Sequence, residues 1–234
     1  MTAIDGYLPV SPPAASVPPV AQVGRRERAK EDKRARIFSA ASAAFAEHGF
    51  DRVTTQQIAD RADVGTGTLF RYAATKGELF LMVYNERFAD AVEAGALASR
   101  RHTDRTDRTD AVHALVDPVL TWARSLGDSA DYQRELLFGP AGERYRDEGL
   151  AIVADLQNRI TTLLLTDQPD PTQVTTREAH RAARSVFAIL NLLLVQPLND
   201  LHPESDASAE LHAQIAQVVR GYVATTDTPD TGSR

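Results

Sequence analysis

Apolar residues recur along most of this chain at intervals of three and four, the period of an amphipathic helix, and no segment reads convincingly as a strand. A first helix is predicted over residues 31–48, with Ile37, Ala41, Ala44, Phe45 and His48 on one face. Gly49 stops it, because glycine tolerates the left-handed conformation that closes a helix. Thr54 opens a short second helix that ends near Ala62, its hydroxyl capping the first turn while Gln57 reaches back. Asp63, Val64 and Gly65 form a tight connection to a third helix of about two turns over residues 66–72. Thr75 and Glu78 form a second capping box, and Leu79, Val83 and Phe88 carry the fourth helix onward.

Further helices are predicted over residues 110–126 (bent at Pro118), 129–138, 142–166, 174–196 and 207–225, with Gly127, Gly139–Pro140 and Pro197 as stops. The 174–196 segment is polar in its first half and apolar in its second, and Leu211, Ile215, Val218, Val219 and Tyr222 form one stripe on the last helix. Residues 1–23 are rich in Pro, Ala, Ser and Val and read as a disordered leader, and residues 226–234 as a disordered tail. The two Asp-Arg-Thr triplets between Arg100 and Asp110 read as a solvated loop or helix end. The fold class is all-α, with a head over residues 24–90 and a larger helical body over 91–225.

Composition narrows the chemistry. The chain has no cysteine, so disulfides, thiolate metal sites and cysteine nucleophiles are excluded. Its first twenty residues lack a basic segment and are interrupted by prolines, unlike a signal peptide, and no apolar run is long enough to cross a bilayer. A cytoplasmic protein without a membrane partner is therefore expected. The six histidines show no metal-ligand spacing, Gly65-x-Gly67 lacks the third glycine of a dinucleotide site, and no Walker lysine or catalytic set is present. No enzyme activity, metal or cofactor is expected.

The overall charge of −6 argues at face value against nucleic acid, but its distribution reverses the inference. Between Gly24 and Lys76 eleven basic residues stand against seven acidic ones, so a head of +4 sits on a strongly acidic body. Two short helices joined by a three- or four-residue turn make a helix-turn-helix, whose second helix enters the major groove. Here that second helix has only Val64 and Leu69 as clear core residues. Thr66 and Thr68 can bond phosphates or touch a thymine methyl, Gly67 allows close backbone approach, and Arg71 can read guanine. Ahead of it, Arg25 and Arg26 lie in a basic, flexible segment suited to a phosphate backbone or a minor groove.

From Arg25 to about Phe88 the chain resembles the DNA-binding domain of the TetR family of transcriptional regulators. The resemblance rests on Phe45-Ala46-Glu47-His48-Gly49-Phe50, on Thr54 through Ala59, and on Val64 through Phe80. It implies that Thr55, Thr66, Gly67, Phe70, Arg71, Tyr72 and Lys76 fall on positions that hold operator DNA. Three positions depart from the family pattern: Phe70 replaces a usual Tyr, Ala73-Ala74 replace a usual Phe-Pro or Phe-Lys, and Gly65 replaces a usual Ser. The resemblance further implies a homodimer bound to double-stranded operator DNA, joined through the last two long helices and released by an unknown small-molecule effector, hence a repressor. Trp122, Phe138, Tyr145 and Phe187 are the large aromatics that could line an effector cavity. The rival readings are an all-helical small-molecule carrier or enzyme and a structural adaptor; neither accounts for a basic head together with a polar third helix.

Overall fold

The computed structural model describes residues 24–102, 108–166, 171–195 and 206–226. Nine helices and no strand are present among them: α1 (Arg25–Arg52), α2 (Thr55–Arg61), α3 (Thr66–Leu69), α4 (Lys76–Ser99), α5 (Arg108–Ser125), α6 (Ser129–Phe138), α7 (Arg144–Leu165), α8 (Gln173–Val195) and α9 (Ala207–Thr226). The leader of residues 1–23, the tail from residue 227 and most of the Asp-Arg-Thr triplets lie outside the described residues.

Helix α1 begins at Arg25, so the segment read as flexible is helical and the predicted start at residue 31 is six residues late. Residues 25–36 carry no apolar stripe to reveal a helix, but they consist almost wholly of Arg, Lys, Glu and Ala, which form helices readily in solvent. Glu27 favours the positive end of this helix, and its carboxylate lies 3.4 Å from the Lys30 ammonium. Burial starts at Ile37 and continues through Ala41, Ala44 and Phe45, whereas His48, assigned to the same stripe, is exposed. At Gly49 the chain takes φ +75°, ψ 171°, which breaks the helical path before a last turn over residues 50–52.

The first two caps differ in an instructive way. Thr54 and Gln57 form the full reciprocal box, with Gln57 N donating to the Thr54 hydroxyl at 3.2 Å and Thr54 N to Gln57 Oε1 at 2.8 Å. Thr75 accepts from Glu78 N at 3.0 Å, but Glu78 does not reach back; its carboxylate is used elsewhere, and the second box is half made.

Helix α4 is the spine. It crosses the boundary set at residue 90 without interruption and packs against α1 in the head and against α5, α6 and α7 in the body. One hydrophobic cluster consequently runs from Ile37 to Tyr222. Phe45 and Phe50 meet Phe80 edge-on at 4.9 and 4.8 Å, supplying from α1 the aromatic packing that Ala73-Ala74 lack. Helices α4 and α5 approach so closely at Gly95 that an added Cβ would stand 2.0 Å from the Leu115 carbonyl oxygen.

The stripe on the last helix faces inward. Leu211, Ile215, Val219 and Tyr222 are buried in the chain's own core, and Val218 packs partly buried against it. The periodicity alone does not tell an inward face from an interface, and α5 and α8 cover this one. What α9 turns outward is a row of small and polar groups, Ala209, Ala213, Gln217 and Gly221, beside the exposed Ala188 and Leu192 of α8.

Candidate nucleic-acid interface and effector cavity

Helix α2 ends in a Schellman turn, with Val64 N donating to Ala59 O at 3.0 Å and Asp63 N to Asp60 O at 3.1 Å. Asp63 takes the left-handed position at φ 51°, where glycine is usual, and accepts from Arg36 Nη1 at 3.2 Å. The turn is thereby fastened to α1. A second fastening is the forked pair of Arg61 with Glu47 at 2.7 and 2.8 Å; the guanidinium bonded to it holds the Glu47 carboxyl below the usual carboxylate range.

Helix α3 is a single α-turn, shorter than the two turns anticipated. Beyond Leu69 the backbone tightens: Arg71 N donates to Thr68 O at 3.1 Å and Tyr72 N to Leu69 O at 2.9 Å, the i to i+3 pattern of a 3₁₀ end. The Tyr72 hydroxyl donates to Lys30 O at 3.3 Å and ties this end to α1. At the other end the Thr66 hydroxyl donates to Gln56 Oε1 at 2.7 Å, and Gln56 Nε2 donates to Asp60 Oδ1 at 2.7 Å. Gln56 thus orients the start of α3, a role that the spacing of the two helices did not reveal.

Between these anchors the surface is open. A Cβ at Gly65 or Gly67 would meet nothing within 4 Å, Phe70 is 44% exposed, and the Arg71 side chain is exposed without a hydrogen bond or ion pair among the described residues. Thr68, Arg71 and Tyr72 border a groove of about 830 Å³ whose far wall is α1, with Arg26, Lys30, Lys33 and Arg34 along it. These four recur at intervals of four, three and one and so share a helical face. Sequence reasoning did not join Lys30, Lys33 and Arg34 to Arg26, because the predicted helix left Arg26 and Lys30 outside it and the four could not be read as one face. Arg25 heads the same helix, and its side chain lies outside the description. Thr55 is half-buried in the first turn of α2. Lys76, first residue of α4, is already engaged: its ammonium donates to Phe50 O at 3.0 Å and lies 4.3 Å above the Phe50 ring.

The four aromatics proposed for an effector cavity part company. Trp122 and Phe187 line a common cavity of about 30 Å³ between α4, α5, α6 and α8. Tyr145 is buried at the start of α7 and borders a separate groove against α1 and α4, while Phe138 is 82% exposed at the end of α6. The cavity instead recruits Phe88, stacked on Trp122 at 5.3 Å and 14°, and Tyr132, edge-on to Trp122 at 5.3 Å. Burial pushes the Tyr132 phenol far up, and its hydroxyl donates to Asn85 Oδ1 at 2.8 Å.

Head and body are joined by two carboxylates. Asp128, immediately before α6, accepts from Phe50 N at 2.7 Å, just after the break at Gly49. Glu78 of α4, 2% exposed, accepts from Tyr145 N at 3.0 Å and Arg146 N at 2.9 Å, capping the first turn of α7. Burial raises the Glu78 carboxyl above the usual range against the lowering effect of those two bonds. The segment carrying α6 is therefore fastened to the head at both ends.

Comparison with known proteins places these features. Residues 37–83 match the model of bacterial regulatory proteins of the tetR family. Over 83 residues, 35% of this chain and 38% of the relative, the chain is 34% identical to the HTH-type transcriptional repressor KstR of Mycobacterium tuberculosis. Over 89 residues, 38% of this chain and 41% of the relative, it is 32% identical to the HTH-type transcriptional activator FasR of Mycolicibacterium smegmatis. The matches thus span about two fifths of those curated relatives. Among solved structures, Thermus thermophilus FadR, a TetR-family transcriptional repressor in complex with lauroyl-CoA, superposes with a TM-score of 0.63 at 21% identity, covering 80% of this chain and 94% of that one. A TetR transcriptional regulator from Rhodococcus sp. RHA1 gives 0.59 at 17% identity, covering 81% and 96%. FadR from Bacillus subtilis in complex with stearoyl-CoA gives 0.55 at 16% identity, covering 80% and 98%.

Proposed function

We propose that this chain, whose residues 37–83 match the tetR family of bacterial regulatory proteins, is a ligand-responsive, dimeric transcriptional repressor rather than an enzyme. The observation that carries the reading is the open surface of α3 and the turn after it: room for a Cβ at Gly67, Phe70 half-exposed and the Arg71 side chain without a partner among the described residues, beside the basic face of α1. Arg71 is assigned to a base edge, Phe70 to an apolar contact such as a thymine methyl, and Thr55, Thr66, Thr68 and Tyr72 to phosphates or bases. Arg25, Arg26, Lys30 and Lys33 are assigned to phosphates, with the two remaining ammonium N–H groups of Lys76.

One such head contacts only a few base pairs, so selectivity requires two heads spaced by a turn of DNA or a multiple. The self-association surface is assigned to the outward face of α9, Ala209, Ala213, Gln217 and Gly221, with Leu192 of α8. Fatty acyl thioesters, which two of the solved neighbours hold, are the effector class to test first. An effector entering the body would favour a state whose heads no longer match successive major grooves.

Selection from a random duplex library should enrich an inverted repeat, bound with an affinity that falls steeply with salt, about 0.9 log units per log unit of salt for each phosphate neutralised. Lauroyl-CoA should release the enriched duplex in a fluorescence-anisotropy titration. No enrichment, or an affinity indifferent to salt, overturns the DNA-binding reading; release by no acyl thioester overturns the effector class.

A further inference from the structure

We infer that the cavity beside Trp122 takes an uncharged ligand group with an apolar body and a single hydrogen-bond acceptor, and that Gln133 is the residue that holds the acceptor. The inference rests on the reading of this chain as a ligand-responsive regulator and specifies the chemistry of its effector site. Phe88, Trp122, Tyr132, Leu136 and Phe187 make the walls largely aromatic and aliphatic, and among the described residues no charged side chain contributes to them. A carboxylate or ammonium entering there would lose its hydration without a counter-charge, which costs far more than burying a neutral carbonyl.

Within this lining Gln133 has an unmet requirement: its Nε2 is buried and has no hydrogen-bond partner among the described residues. Buried donors are otherwise almost always paired, because an orphan gives up its hydration with no bond in exchange. The neighbouring polar groups do not relieve it. The Tyr132 hydroxyl proton goes to Asn85 Oδ1 and Asn191 Nδ2 donates to Phe187 O at 2.8 Å, and the acceptor oxygens these two side chains keep do not bond Gln133 Nε2. A carbonyl or ether oxygen offered by a ligand would recover the lost bond, while a hydrocarbon of the same shape would leave it unmade. The cavity holds about 30 Å³, room for only a water or so, so any larger ligand must displace the helices that line it, α6 among them, as it enters. That movement would act on the segment that Asp128 and Glu78 fasten to the head.

Trp122 is the only tryptophan of the chain and lines the cavity, so its emission reports occupancy. The full-length protein would be titrated with 2-nonanone, with 2-methyl-1-nonene, in which a methylene replaces the carbonyl oxygen, and with nonanoate, each also followed by equilibrium dialysis. The ketone is expected to bind saturably and at least tenfold more tightly than the alkene or the carboxylate. Gln133→Leu should erase the preference of ketone over alkene, with alkene affinity unchanged; Gln133→Met serves if the leucine variant does not fold. A ketone preference that survives the substitution, tighter binding of nonanoate, or no saturable binding of the ketone overturns the inference. Operator binding, read in parallel, separates the two claims. Gln133-dependent ketone binding that leaves the operator bound sinks the release reading alone, whereas ligand release unaltered by Gln133→Leu sinks the inference alone.

Discussion

Replacing Glu78 by alanine should destabilise the protein far more than an acidic residue in the first turn of a helix ordinarily would. The side chain is 2% exposed and satisfies two backbone N–H groups of α7, at 3.0 and 2.9 Å. Alanine leaves both donors without a partner, and at roughly 1–3 kcal/mol for each orphaned group the loss is about 3 kcal/mol if water relieves part of it. For a chain of this size 1 kcal/mol corresponds to roughly 2–4 °C, so Tm should fall by about 6–12 °C. Glu78→Gln keeps one carbonyl acceptor and removes the charge, so its cost should be near 1 kcal/mol at neutral pH. The pH dependence has a definite sign. The Glu78 carboxyl is raised in the folded protein, chiefly by burial, so the fold binds its proton more tightly than the unfolded chain does. Its contribution is therefore greatest below the unfolded value near 4.5 and declines as pH rises through the folded value. Glutamine does not titrate, so the stability difference between wild type and Glu78→Gln should shift against wild type as pH rises through that window. Melts would be recorded by circular dichroism at one protein concentration, because self-association would make Tm depend on it. A Glu78→Ala shift below about 2 °C, or a Gln difference that moves the other way with pH, would refute the assignment of Glu78 as the cap of α7.

Three further outcomes are expected. Gly95→Ala should cost at least about 2 kcal/mol, because the new Cβ meets backbone rather than a side chain that could turn aside; an unchanged melt would mean that α4 and α5 separate easily. Lys76→Ala should weaken binding to all duplexes alike and also lower Tm, since its bond to Phe50 O is lost, whereas Arg71→Ala should relax preference at one operator position with Tm unchanged. Identical selectivity profiles for the two variants would refute that division. Ala213→Glu, on the outward face of α9, should yield monomers by light scattering and abolish tight operator binding while leaving the helical content intact; a variant that remains dimeric would move the interface elsewhere.

The sequence by itself determined the elements whose signals are local. The Thr54–Gln57 box, the stop at Gly49 and the spacing of α2 and α3 all arise within a few residues, where side chains and backbone meet whatever the rest of the chain does. That was enough to locate the two short helices and to place Thr66 and Gly67 on the second of them, although that helix ends before Arg71. The start of α1 was not legible, because a solvated run of Arg, Lys, Glu and Ala shows no apolar period, and with it went the basic face formed by Arg26, Lys30, Lys33 and Arg34. The remainder depended on groups distant in sequence. Glu78 has the spacing of a capping box, yet its carboxylate meets α7 more than sixty residues away; buried N–H groups there offer more than a partly solvated one at its own helix start. The stripe on α9 has the period of an interface and of a core alike, and only the packing of α5 and α8 over it makes it core. The cavity likewise joins Phe88, Trp122, Tyr132 and Phe187 from four helices while leaving Phe138 outside, a choice that depends on how those helices cross rather than on any one helix's sequence.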